Sequence, residues 1–512
     1  MSFKVYMRTG AALASILLAS QLAIAGGTVS FNVKWYSTGQ WPFNDIVDAN
    51  PFEATTGIVI ADLNRDGIPD VAYSYSCCED GSSGGGVIVK LGTGGGNLGP
   101  DVPYKFGQDV LRELKTADTN GDGWLDLMVP DAFYNSINVF LNNGDGTFQY
   151  GGKVGLGGSS SGSFELADFN HDGKIDLAQI GCGGNCTLNI GLGDGTGLNF
   201  AISQSIQLAG SSYNLQSADV NGDGKLDLAF VRGSVGVILW GRGDGTFSGP
   251  TYLKPPTTDP MDSVAIADFN NDGRLDISLL SGYPCSPDPN RGPCGQGNVN
   301  IVWMYKNNGG TNFTLTTHTQ FTAQAGLIVP ADINGDLNQD LLHYNQFASG
   351  IYPVLGAHGG YEYVVGLGND TLGTQGTLSS SGISAATPRD MNGDSRADYA
   401  VIDWFTNQLG VGIQTGGWKN CPPPNSANLA ARICGISNGA TVTSPLLVKA
   451  SGNSPAGVNQ LQVWIDGKKQ YVKWGDQLAK KFTLPSGSHR IAVVAYDKYI
   501  GHATTAVNVN IP

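Results

Sequence analysis

The 512-residue sequence predicts an all-β chain, a seven-bladed β-propeller followed by a small β-sandwich. An Asp-rich nine-residue pattern, DxNxDGxxD or a near variant, recurs seven times at a spacing of about one four-stranded blade. Beyond residue 418 the pattern gives way to short alternating strands. Composition agrees, since 74 Gly and 24 Pro against 14% charged residues suit short strands joined by tight turns.

Residues 1–25 read as a secretory signal. Lys4 and Arg8 give a positive start, Ala11 to Leu22 an apolar stretch, and Ala23-Ile24-Ala25 a small-residue cleavage site before Gly26. The apolar stretch is shorter than the ~20 residues of a spanning helix, and no later segment approaches that length, so no transmembrane segment is expected. No Cys follows the site to carry a lipid. The expected product is secreted, extracellular or periplasmic, after cleavage near Ala25.

Residues 26–418 hold the repeats, which begin at Asp62, Asp118, Asp168, Asp219, Asp268, Asp332 and Asp390, with separations of 56, 50, 51, 49, 64 and 58 residues. The fourth displays the common unit. Asn214 to Ala218 leads in, Leu226 to Val231 and Val235 to Trp240 are apolar runs, and a GDGT turn precedes Phe247 to Leu253. Four strands per repeat follow. The GDGT turns at Gly144 to Thr147, Gly193 to Thr196 and Gly243 to Thr246 supply the positive-φ residues of a hairpin between the third and fourth strands. After the seventh loop only two further strands are visible, near Asp398 to Asp403 and Leu409 to Gln414. Thr28 to Gly39 has the Phe and Tyr placing of the missing outer strand, so the N-terminal strand is expected to complete the last blade and leave no open edge.

In each loop the first, third, fifth and ninth positions carry oxygen side chains, and the turn brings them toward one centre. The seventh position offers its backbone carbonyl. The sets are Asp62, Asn64, Asp66, Ile68 and Asp70; Asp118, Asn120, Asp122, Trp124 and Asp126; Asp168, Asn170, Asp172, Lys174 and Asp176; Asp219, Asn221, Asp223, Lys225 and Asp227; Asp268, Asn270, Asp272, Arg274 and Asp276; Asp332, Asn334, Asp336, Asn338 and Asp340; and Asp390, Asn392, Asp394, Arg396 and Asp398. Hard oxygen donors at this spacing suit Ca²⁺, up to seven ions, better than Mg²⁺, which prefers a small octahedral shell that keeps water. The Glu that closes an EF-hand loop is missing, so the ninth-position Asp is expected to close the site. Gly67, Gly123, Gly173, Gly224 and Gly273 take the sharp turn at the sixth position. Leu337 and Ser395 replace it in the last two loops, where the weakest binding is expected. One such turn is readily a solvated hairpin; seven in phase are not. Expected affinity is that of extracellular modules, ~10⁻⁴ to 10⁻³ M.

Charge supports this division. Residues 421–512 carry nine Lys/Arg and three Asp/Glu, a net of +6, and residues 26–420 a net of −22, which seven Ca²⁺ would bring to −8. Loop Asp residues make up 21 of the 40 acidic residues between 26 and 420. So acidic a domain repels phosphate backbones, and no nucleic-acid partner is expected.

Repeats such as ADFNHDGKIDLAQI at Ala167 to Ile180 and ADVNGDGKLDLAFV at Ala218 to Val231 resemble the FG-GAP or VCBS repeats of bacterial secreted proteins and of the integrin α-subunit propeller. The resemblance spans about residues 28–417 and implies fold and calcium. It implies no single activity, because such propellers serve adhesion, lectin-like binding and, with added residues, enzymes.

Residues 419–435 read as a linker around Pro422 to Pro424, and residues 436–512 as five to seven short strands in a sandwich. GVNQLQVWIDGKKQY at Gly457 to Tyr471 and SGSHRIAVVAYDKYIG at Ser486 to Gly501 resemble bacterial immunoglobulin-like domains, which act as spacers or binding modules. The +6 charge suits docking on the acidic propeller or on an anionic surface. Eight Cys fall into local sets, Cys77 with Cys78, Cys182 with Cys186, Cys285 with Cys294 and Cys421 with Cys434, spaced for stapled loops rather than zinc. Their pairing stays open, above all for the neighbours Cys77 and Cys78.

No catalytic residue is assigned. GSSGG at Gly81 to Gly85 and GSSSG at Gly158 to Gly162 lie in Ser/Gly-rich loops, not at a strand-to-helix elbow. His171 takes an outward-pointing fourth position, and Arg242-Gly243-Asp244 coincides with a GDGT hairpin. In a four-stranded blade the metal loop and the GDGT turn share one face, and the connections from second to third strand share the other. The first three Cys sets and the insertion Ser281 to Asn300 fall on that second face, where integrin-like propellers bind ligand. Tyr283 and Tyr75 are its candidate aromatic contacts. Two functions are open: a non-catalytic extracellular binding or adhesion protein for a glycan or protein ligand, or a secreted polysaccharide lyase or hydrolase on the same scaffold.

Overall fold

The computed structural model describes residues 20–24, 27–37, 57–75, 85–105, 113–131, 136–157, 161–183, 185–281, 300–321, 326–333, 338–344, 361–366, 372–379, 384–385, 388–394, 396–403, 408–415, 421, 424, 426, 428–454, 457–497 and 501–512. Every element among them is a strand. Six antiparallel four-stranded sheets follow one another along the chain. Their first strands are Ile58–Ala61, Lys115–Ala117, Ser161–Ala167, Ser212–Ala218, Met261–Ala267 and Leu327–Ala331.

A seventh sheet joins the two ends of the array, in the order Ser20–Ile24, Gly27–Ser37, Gln408–Gln414, Tyr399–Asp403, Ser384–Ala385. The strand Gly27–Ser37 runs antiparallel to Gln408–Gln414 from Phe31 opposite Gln414 to Ser37 opposite Gln408. This is the seam expected from the missing outer strand. Phe31 anchors it, buried edge-on against Tyr399 at 5.0 Å. Ser20–Ile24, within the segment read as the leader, pairs with Gly27–Ser37 as a fifth strand.

Each sheet buries apolar residues against the next, and the cycle closes. The first and second sheets share a core around Leu63, Val87, Leu127 and Phe140; the second and third around Met128, Val139, Phe164 and Leu177. Phe169, Ile180, Phe230 and Leu239 join the third to the fourth, and Val231, Trp240, Ile277 and Trp303 the fourth to the fifth. Phe269, Met304 and Leu341 continue to the sixth, and Ile333, Leu342 and Tyr399 to the seventh. Ala400, Ile402 and Val411 of the seventh then meet Ile60, Tyr73 and Ile88 of the first. Strands with both faces covered in this way read as continuous apolar runs rather than alternating ones, as in Asp227–Arg232, buried from Asp227 to Val231. The result is a β-propeller.

C-terminal to it, a three-stranded sheet (Ala430–Cys434, Leu446–Asn453, Gln477–Phe482) faces a five-stranded sheet built mainly from Val458–Ile465, Lys468–Trp474, Gly487–Asp497 and His502–Ile511. Val448 and Leu478 of the first meet Val463, Ile491 and Val493 of the second in one core. Ala430–Cys434, within the segment read as linker, is thus a strand of this sandwich. Cys182 pairs with Cys186, and Cys421 with Cys434. Cys77, Cys78, Cys285, Cys294, Tyr283, Gly81 to Gly84 and Gly158 to Ser160 lie outside the described residues. Tyr75 is no surface contact: it is 2% exposed, on the same side of its strand as Tyr73 in the core shared with the seventh sheet.

Candidate metal centre

In every sheet the Asp-rich loop joins the first strand to the second, and where a GDGT turn is present it joins the third to the fourth, so both lie at one end of the propeller. The loop is held open by its own backbone. In the second loop Asp118 Oδ2 accepts from Gly123 N–H at 2.8 Å, Asn120 Oδ1 from Asp122 N–H at 3.0 Å and Asp122 Oδ1 from Trp124 N–H at 2.8 Å. The same three bonds recur in the first loop (3.0, 3.1 and 2.7 Å), the fourth (2.9, 2.8 and 3.0 Å) and the fifth (3.0, 2.9 and 3.0 Å). Gly67, Gly123, Gly173, Gly224 and Gly273 all have φ between 83° and 92°. That conformation is almost free for Gly and strained for other residues.

The ninth-position Asp is the best-held group of all. Asp70, Asp126, Asp176, Asp227, Asp276, Asp340 and Asp398 are each 0% exposed. One carboxylate oxygen accepts from the N–H of the loop's second residue, as from Leu63 at 2.7 Å, Val220 at 3.0 Å and Met391 at 2.8 Å. The other accepts from an N–H at the end of the third strand, or just past it in the first sheet: Gly92, Asn142, Gly193, Gly241, Asn307, Gly366 or Gln414, at 2.7 to 2.9 Å. This carboxylate therefore staples loop, second strand and third strand, a structural duty beyond the ligand role expected of it. Burial pushes Asp70 and Asp227 up to about 7, Asp126 and Asp176 to about 6, and Asp398 to about 8, against the pull of those N–H donors.

The third-strand terminus is a functional position that the sequence reading missed. It follows its Asp by 22, 16, 17, 14, 31, 26 and 16 residues in the seven sheets, so no fixed spacing marks it. Four of the seven are Gly, because the eighth loop residue's carbonyl sits where a Cβ would be, at 2.4 Å for Gly92, 2.1 Å for Gly193, 2.0 Å for Gly241 and 1.9 Å for Gly366. Asn142 and Asn307 instead donate to that carbonyl, Leu125 O and Leu275 O, both at 3.0 Å.

The first-position Asp differs among the loops: in the third, fourth, fifth and seventh its Oδ1 accepts from the fifth-position N–H at 3.0 to 3.1 Å, and in the first two it does not. Asp62 Oδ1 and Asp118 Oδ1 are buried and have no hydrogen-bond partner. Burial first, then the neighbouring fifth-position carboxylate, raises both above the ordinary Asp value. Among the described residues no three His, Cys, Asp or Glu side chains are already gathered around one point. The donor set of these loops is mixed, with Asn oxygens and a backbone carbonyl alongside the carboxylates. Asn334, Asp336 and Leu337 of the sixth loop and Ser395 of the seventh lie outside the described residues.

The GDGT turns are occupied by their own bonds. Asp244 of the Arg242-Gly243-Asp244 tripeptide accepts from Thr246 N–H at 3.0 Å and Thr246 Oγ1 at 2.6 Å, which holds its carboxyl below the usual range. His171 is exposed at its fourth position with φ 62°.

The FG-GAP-like repeat family matches three overlapping stretches, residues 118–179, 168–230 and 219–278. Residues 118–278 carry three FG-GAP-like repeats. Each match runs from one Asp-rich loop to just past the next, so the repeat unit here is loop, four strands, and the loop that follows. No curated protein matches the chain. Among solved structures, BBS1N in complex with ARL6DN is similar at 12% identity and a TM-score of 0.45, over 74% of this chain and 97% of that one. An Agrocybe aegerita lectin that recognises non-reducing terminal N-acetylglucosamine is similar at 17% identity and a TM-score of 0.41, over 64% of this chain and 81% of that one.

Proposed function

We propose that this FG-GAP propeller is seven-bladed, secreted and calcium-binding, and acts as a non-catalytic extracellular binding or adhesion protein for a glycan or protein ligand. The observation that carries the calcium reading is the pair of buried, unpartnered carboxylate oxygens, Asp62 Oδ1 and Asp118 Oδ1. A buried carboxylate oxygen without a donor is destabilising, and a cation drawn to it would compensate it. The side chains at the first, third, fifth and ninth positions and the seventh carbonyl would hold it. The ion supplies charge compensation, fixing the hairpins at one end of each sheet.

With that end committed to structure, we place the ligand on the other, where second and third strands connect. Support comes from the Cys182–Cys186 pair, which closes the hairpin between Asp176–Gly183 and Asn185–Gly193 at that end of the third sheet. We read the C-terminal sandwich as an immunoglobulin-like module. Equilibrium dialysis would count the bound calcium. A glycan array run beside a polysaccharide-cleavage assay would test the rest. Cleavage of any polysaccharide sinks the non-catalytic reading; a ligand indifferent to substitutions in the opposite loops sinks the placing.

A further inference from the structure

The strand Lys468–Trp474 of the C-terminal sandwich lies against the metal-loop end of the propeller. Lys473 is 3% exposed, and its Nζ donates to Asn271 Oδ1, at the fourth position of the fifth loop. Asn271, with φ 59°, passes the contact on: its Nδ2 donates at 2.7 Å to Oδ1 of Asn338, the seventh residue of the sixth loop. The Val472 carbonyl oxygen stands 3.4 Å from where a Cβ would be at Gly273, so the strand reaches the turn of the loop. Trp474 packs on the core shared by the fourth and fifth sheets.

The fifth loop is also compensated by the protein's own cations. Asp272 Oδ2 pairs with Arg274 Nη2 at 2.6 Å and lies 3.7 Å from Lys306 Nζ. Burial raises the Asp268 carboxyl, and the Lys473 ammonium pulls against that by favouring its ionised form. Among the described residues, no Asp of the first four loops has such an ion pair. Three positive groups thus act on Asp268 and Asp272 of one loop, and one of them belongs to another domain.

We propose that Lys473 is a tethered cation of the fifth loop, through which docking of the C-terminal sandwich and divalent-cation loading of that loop oppose each other. The inference rests on the calcium reading. A dication entering among Asp268, Asn270 and Asp272 meets the repulsion of a buried ammonium that cannot leave unless its strand does. By linkage, whatever docking costs calcium here, calcium costs docking.

The test uses the full chain and its Lys473→Met and Lys473→Arg variants, with calcium as the probe. Equilibrium dialysis is expected to show one site about tenfold tighter in Lys473→Met, and the wild-type pattern in Lys473→Arg. Hydrogen exchange across residues 468–474 is expected to quicken at least threefold on calcium loading of the wild type, and to be calcium-independent in Lys473→Met. Unchanged affinities in Lys473→Met, or exchange that slows with calcium, overturn the antagonism. If neither wild type nor variant binds any calcium, the parent reading falls too, and the zero stoichiometry distinguishes that failure. Asp268→Asn with Asp272→Asn leaves Lys473 in place; loss of the calcium effect on residues 468–474 is expected, and its persistence would overturn the assignment to this loop.

Discussion

Gly241 is constrained by a single atom. Its N–H bonds Asp227 at 2.8 Å, and a Cβ there would stand 2.0 Å from the carbonyl oxygen of Leu226. A backbone oxygen held inside a hairpin cannot step aside, so Gly241→Ala is expected to cost roughly 2–4 kcal/mol. Urea unfolding with an unchanged slope would report it; a loss under 0.5 kcal/mol would mean the hairpin yields (about, by the same scale). Asp262 gives a pH effect instead. Its Oδ2 is buried without a hydrogen-bond partner, and burial pushes its carboxyl up to about 7. The folded chain then keeps a proton that the unfolded chain has already released above its ordinary Asp range. Stability from this group is therefore full at low pH and falls as pH rises toward 7, by roughly 2–4 kcal/mol. Asp262→Asn is expected to remove that fall, making the variant the more stable chain at pH 8 and not at pH 4. Equal pH profiles in thermal melts would refute it.

At the level of elements, the sheets are stitched by amides that reach across them. Asn307, ending the third strand of the fifth sheet, donates to Leu275 O and, at 2.8 Å, to Val220 O in the fourth loop. Asn142 likewise reaches Leu63 O of the first loop at 2.8 Å, and Gln414 reaches Ile333 O of the sixth at 2.6 Å. Asn307→Ala strands two buried carbonyls in neighbouring loops, and a loss of about 2–4 kcal/mol is expected from equilibrium unfolding. The Asp-rich loops were legible in the sequence because a metal-type turn needs particular residues at fixed spacing, and the seam strand because a four-stranded unit lacked its fourth member. These stitches were not. Their acceptors are backbone carbonyls 79 to 87 residues away, which every residue possesses and no motif marks. Tyr75 failed for a related reason: a Tyr beside a loop looks exposed until the closing contact between first and last sheets covers it.

Across the whole molecule, the same carboxylates that organise the hairpins concentrate negative charge at one end. Seven fully buried Asp residues anchor the loops from beneath, and the first- and fifth-position carboxylates crowd above them. On the calcium reading the propeller's stability is a sum over loops, each adding about 2.7 kcal/mol when free calcium is a hundred times its Kd. Five intact loops would then contribute about as much as the net stability of an ordinary domain, about 5–15 kcal/mol. Chelation is accordingly expected to lower Tm by more than 10 °C (roughly, from the usual size scaling), with the propeller transition moving and the C-terminal sandwich transition nearly still. Sodium chloride at equal ionic strength is not expected to replace calcium, because screening acts on exposed charges and leaves buried carboxylates unpaired. The first loop offers the sharpest check, since Asp62 Oδ1 has no partner within the protein. Asp62→Asn should remove one bound ion and shrink the chelation shift, while raising Tm in chelator by relieving a buried charge. A variant that loses stability equally with and without calcium would show that Asp62 serves only the Gly67 turn, and would leave the loops as hairpins without a metal role.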